Sequence, residues 1–286
     1  MKKLIIVPVM IWSVALFAQT KNEEKAIIYT TMNIIAPEEE ETRGGDENRQ
    51  GMNFRNMMDG ETKLITTLLK EKIKTDMRSE SIKSTIYRDE LQKKTTTIFE
   101  MMGNTSGYFT TDEEQNAMQI IRDSIMAERR KKDSSFRART EGLNFEPQTE
   151  IVSTTESKKI AGFNCFKAYI VTSRMVGNKD TTTIWYTPEF SFENLKYTGG
   201  ITMPPGMMGN NNSLLGANKV KGFVMSYEMK MRRNRKMEVA VTKIDFKKEI
   251  TSQDFELPKD VEIKPMKEMQ NQFGNGRGGM NRMGRE

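Results

Sequence analysis

Methionine is the one residue type in excess, 23 among 286 residues, and its thioether is a soft ligand suited to Cu(I). Met52, Met57 and Met58, then Met203, Met207 and Met208, then Met266, Met269, Met280 and Met283 fall in stretches rich in Gly and Asn rather than in strand-like segments. Met203, Met207 and Met208 are the candidate copper ligands. No compact Met-x-x-Met array lies within a folding segment, and low-complexity drift explains the same clustering, so no metal is assigned. Cu(I) capture stays as the last of three functional readings.

The remaining chemistry is thin. The chain has no histidine, which removes Ser-His-Asp and Cys-His nucleophile systems and the commonest zinc ligand together. The single cysteine, Cys165, has no basic neighbour in Asn164-Cys165-Phe166 and reads as a buried, inert thiol. The conspicuous carboxylates, Glu38 to Glu41 and Asp112-Glu113-Glu114, sit in a loop and at a helix start, where solvent exposure rather than tuning for acid–base work is expected. Gly162 makes a turn; no Gly-rich strand-to-helix motif surrounds it. Neither a catalytic residue nor a cofactor is assigned, and the chain is read as not an enzyme.

The elements that would carry these residues are mostly strands. Lys25–Ile35 is rich in β-branched residues. Lys63–Met77 reads as a strand pair with Ile65, Thr67, Leu69, Ile73, Thr75 and Met77 on one parity, and Ser81–Arg88 and Lys93–Met102 follow as strands. One helix is expected over 112–132: Thr111 and Glu114 form a capping box, acids fill the first turn and basic residues the last. Its stripe of Met118, Ile121 and Ile125, with Ala117 beside it, should pack on a sheet. Lys158–Ser173 opens with a glycine turn and pairs with Thr181–Thr187. Phe223 to Met231 alternates with period two, Val239–Phe246 follows a hairpin, and Ile250–Pro258 closes the domain.

Met1-Lys2-Lys3 followed by an apolar run to Phe17 and then Ala18 has the layout of a secretory signal cut after Ala18, and the run is short of the about 20 residues a membrane span needs. Residues 1–18 are thus a signal peptide. Residues 19–265 form a single β-rich domain with long loops at 37–60 and 198–219, and 266–286 is a disordered Gly/Asn/Met/Arg-rich tail. The net charge of +6 is interspersed rather than clustered. Arg129-Arg130-Lys131-Lys132 ends the helix and Arg232-Arg233 sits at a hairpin, without interleaved aromatics, so no nucleic acid is expected. No transmembrane segment is expected after signal removal.

Lys159-Ile160-Ala161-Gly162-Phe163-Asn164-Cys165-Phe166, then Trp185 in Thr183–Thr187, then Phe255-Glu256-Leu257-Pro258, resembles the DUF4412 family of secreted Bacteroidetes proteins, near the GLPGLI family, whose Gly-Leu-Pro-Gly-Leu-Ile hexapeptide is absent here. The resemblance implies export to the periplasm, cell envelope or exterior. It also implies a mainly β (α+β) fold, a curved antiparallel sheet with one amphipathic helix packed across it, similar to periplasmic lipoprotein carriers. Ile160, Gly162, Phe163, Cys165, Trp185, Phe255 and Pro258 are its motif positions and read as structural. The leading expectation is a non-enzymatic envelope protein holding a lipid or other apolar ligand in a sheet–helix groove. The alternative is a structural or interaction protein of the envelope without a small ligand.

Overall fold

The computed structural model describes residues 20–36, 60–80, 82–101, 103–136, 148–175, 178–192, 217–231 and 234–268. In chain order the strands are β1 Lys21–Asn22, β2 Lys25–Ile35, β3 Gly60–Leu69, β4 Lys72–Arg78, β5 Lys83–Asp89, β6 Lys94–Met101 and β7 Asn104–Thr111. Helix α1, Asp112–Lys132, follows. Then come β8 Gln148–Ile160, β9 Phe163–Met175, β10 Asn178–Thr187, β11 Phe190–Ser191, β12 Phe223–Lys230, β13 Lys236–Asp245 and β14 Ile263–Pro265. The expected signal peptide, the Glu38 to Glu41 run, Met52 to Met58, Met203, Met207, Met208 and the tail beyond 268 lie outside the described residues.

The protein is mainly β, as expected, and its principal sheet is curved but not closed. Among the described residues twelve strands follow the order β14-β7-β6-β5-β4-β3-β2-β13-β12-β10-β9-β8. Two antiparallel meanders, β2 to β7 and β8 to β13, are sewn together at the centre by the β2–β13 pair, with Met32 opposite Val239 and Ile34 opposite Met237. One face carries Ala26, Ile28, Thr30, Met32 and Ile34, all buried. Burial of this face continues onto the neighbouring strands on both sides, so this is the inner face, on which the core sits. After β13 the chain passes β4, where the short turn Ser252–Phe255 packs, and ends as β14, parallel to β7. This strap covers part of the outer face. Its close approach fits Gly107, where a Cβ would stand 3.0 Å from a methylene carbon of Ile263.

Period-two alternation produces most of these strands, and the differences from expectation have physical reasons. The Lys63–Met77 stretch is a hairpin, but one parity does not run through it. The turn holds only Lys70 and Glu71, with Lys70 at φ 49, so even positions on β3 face odd positions on β4: Leu64 opposite Met77, Thr66 opposite Thr75, Leu68 opposite Ile73. Ile65 is accordingly on the outer face and 36% exposed. Sequence reasoning missed β7, β14 and most of β8. β8 is an edge strand with little buried on either side, so it carries no alternating apolar signal. Residues 217–219, expected to end a long loop, form a short 3-10 turn with Ala217 buried.

Helix α1 matches expectation in its capping. The Thr111 hydroxyl accepts from the Glu114 backbone N–H and the Glu114 carboxylate accepts from the Thr111 N–H, both at 3.2 Å. Its packing differs. No residue of the helix is buried, and Ile121 and Ile125 are 58% and 61% exposed. The helix is fixed to the end of β7 by its first turn, and its apolar stripe does not lie on the sheet. Among the described residues no helix is long and apolar enough to cross a membrane.

Candidate functional site

Cross-strand register arranges the inner face in rows. The first contains Tyr227, Val239, Met32 and Thr62. The second contains Val241, Thr30, Leu64, Met77, Ser84 and Phe99. The third contains Ile28, Thr66, Thr75, Ile86 and Thr97. A last row reads Ala26, Leu68, Ile73, Arg88 and Thr95. No charged side chain stands in the first three.

At the end beyond the last row, five phenylalanines pack ring against ring. Phe190 lies 4.9 Å from Phe163, 5.6 Å from Phe192, 5.3 Å from Phe223 and 5.2 Å from Phe246 between centroids. β11 brings Phe190 there by pairing in parallel with β1. Gly222, at φ +131, permits the approach of β12 to β10: a Cβ there would lie 2.1 Å from the Thr187 carbonyl oxygen. Arg88 stands in the last row, on β5. Its guanidinium donates to both carboxylate oxygens of Asp112, to Glu90 at 2.9 Å and to the Thr95 hydroxyl at 3.3 Å. The Arg88 hydrogen bonds hold the Asp112 carboxyl below the ordinary carboxylate range.

The opposite end is built from methionines. Met32, Met77, Met229 and Met237 are buried in one cluster with Ile34, Leu64, Ile170 and Ile184. Thioether side chains have three rotatable bonds and adapt to irregular shapes. Hydroxyls are set among them. Among the described residues every buried polar side chain is threonine except Ser84. Thr66 and Thr75 satisfy each other at 3.2 Å. The hydroxyls of Thr30, Thr62, Ser84, Thr97, Thr172 and Tyr227 have no partner. Burial of the Tyr227 phenol, 2% exposed, pushes its pKa far up, so it stays protonated and available as a donor.

The motif positions divide. Ile160, Phe163, Cys165 and Trp185 gather at the aromatic end, where Ala161 and Gly162 take φ 49 and 91 in the two-residue turn that joins β8 to β9. Phe255 is half-buried in the strap beside β4 and Pro258 is exposed, so the structure does not bring these two to the others. Cys165 is fully buried; burial pushes its thiol up to about 11, and Sγ contacts the Phe163 carbonyl oxygen at 3.5 Å. A protonated, enclosed thiol is a poor nucleophile. Of the acids at the helix start, Asp112 is held by Arg88 and Glu114 by the capping box. Among the described residues no group of three or more His, Cys, Asp and Glu side chains could hold a metal ion.

Sequence reasoning missed the hydroxyl-bearing interior. The available signal was threonine at buried-parity positions of successive strands, Thr30, Thr62, Thr66, Thr75 and Thr97, but β propensity alone accounts for threonine there. No protein-family model matches the chain, and no curated protein matches it.

Proposed function

We propose that this chain is an exported, non-enzymatic envelope protein that holds an apolar ligand of the acyl-chain class against the concave face of its sheet. Export rests on the basic, apolar and small-residue order of residues 1–18 and on the resemblance to secreted envelope proteins. The observation that carries the binding reading is the set of buried hydroxyls without partners beside adaptable methionines. A buried hydroxyl left unpaired costs about 1–3 kcal/mol, a cost an ordinary filled core avoids by placing valine there. Persistence of six such groups on one face fits an interior that receives a guest.

The test is native mass spectrometry with lipid extraction on the chain from Gln19 onward, purified from a periplasmic preparation without detergent. A mass increment that releases acyl lipid on extraction is the expected result. A clean apo mass, unchanged after incubation with total lipid extract, overturns it. A second reading, an interaction protein of the envelope, draws on the exposed Ile120, Ile121 and Ile125 of α1. It is preferred if the apo mass is clean and a partner protein is crosslinked through α1.

A further inference from the structure

We propose that α1 is a self-association surface, through which two copies of this chain pair antiparallel about a two-fold axis. The proposal stands apart from the ligand reading and uses a different part of the molecule. α1 is about 30 Å long, and its first turn ties it to the end of β7. Beyond that turn the helix stands clear: no residue of it is buried, and Gln119 to Ile125 are all exposed. A helix in a protein draws most of its stability from packing its apolar face, and a second copy supplies the surface that the sheet does not.

The seam selects the occupant. Glu114, Met118, Ile121, Ile125, Glu128 and Lys132 follow one another at spacings of four, three, four, three and four, the rhythm of a coiled-coil stripe. That series reads the same in both directions. An antiparallel copy therefore brings Ile121 of each chain against Ile125 of the other, lays Met118 along the stem of Glu128 and sets Glu114 opposite Lys132. Charge agrees with this register. The first turn carries Asp112, Glu113 and Glu114, and the last carries Arg129, Arg130, Lys131 and Lys132. The dipole of a single helix favours that distribution, and a reversed copy satisfies it again at both ends, whereas a parallel copy sets like charge on like. Over its length α1 has five acids and five bases, so an anionic membrane, which is drawn to a basic polar face, finds no net charge here. One helix pair stands at the low end of the about 1,200–2,000 Å² that a stable interface buries. The pair is thus a concentration-dependent dimer, and dilute protein is monomeric.

Sedimentation velocity on the chain from Gln19 onward, over a range of concentrations, compares the unchanged protein with four variants. The unchanged protein is expected to move from monomer towards dimer as concentration rises. Ile121→Gln/Ile125→Gln should weaken self-association by at least about tenfold. Ile120→Gln, an equal apolar loss at a 68% exposed position off the seam, should leave it within about twofold. Lys131→Glu/Lys132→Glu and Glu113→Lys should each weaken it. Mixing those two variants one to one should restore the dimer, because each changed last turn then meets a changed first turn. All the altered side chains are exposed, so melting temperatures in dilute solution should match the parent. A monomer at every concentration, a dimer indifferent to Ile121→Gln/Ile125→Gln, an equal loss from Ile120→Gln, or a mixture that stays monomeric overturns the proposal.

Discussion

The two ends of the inner face are different materials. At one, Phe163, Phe190, Phe192, Phe223 and Phe246 pack ring against ring, most contacts edge to face. Planar rings with two torsions each define one packing. At the other, methionines and unpaired hydroxyls leave several packings close in energy. The contrast assigns structural specification to the aromatic end and accommodation to the methionine end.

The largest expected effect is at the aromatic end. Phe190→Ala, at a residue 2% exposed in contact with four other rings, should lower unfolding free energy by about 3–5 kcal/mol in urea titration. Next comes Arg88→Met, expected to cost about 1–2 kcal/mol through its bonds to Asp112, a discount being due because that carboxylate is partly exposed. The sign with pH is set by Asp112. Its folded pKa is lowered, so its stabilisation is present above the unfolded carboxylate value of about 4 and is lost as pH falls through the folded value. The melting-temperature gap between parent and Arg88→Met should hold from pH 7 down to about 4 and narrow below it. Met237→Leu, a volume-conserving change at the accommodating end, should cost no more than about 1 kcal/mol. If it approaches the Phe190→Ala loss, the two ends are equally specified and the comparison fails. The smallest effect belongs to α1: Ile121→Gln, at a 58% exposed position, should stay within about 0.5 kcal/mol, and a larger loss would mean that the helix is clamped.

Much of the fold was legible. Strand β2 matches its expected limits, α1 its limits and its cap, and the alternation of Phe223, Met225, Tyr227 and Met229 reports a real buried stripe. These are local signals, set by period and by groups three or four residues apart. What stayed hidden is set by partners distant in sequence. The face taken by Ile65 depends on a two-residue turn, the pairing of β14 with β7 on a strap of coil, and the orientation of α1 on whether a sheet surface is free to receive it. The interior hydroxyls were hidden for another reason: threonine in a strand reads the same whether it faces solvent, a neighbour or the buried interior.

The seam between β2 and β13 has a consequence for how the molecule comes into being. The Thr242 hydroxyl reaches the Tyr29 carbonyl oxygen across 213 positions of sequence, and the whole central ladder closes a loop of that order. A chain made from its N-terminus can form the hairpins β3 to β7 as they emerge, each needing only a short connection, and can add β2 across residues 36–59. Strand β2 must then wait with one edge bare until β13 arrives. Non-local closure of this kind slows folding, and a bare apolar edge invites pairing with another chain. The first meander is thus the stage at which a chaperone would be most useful, and a chain truncated before Lys236 is the version of this protein that should aggregate.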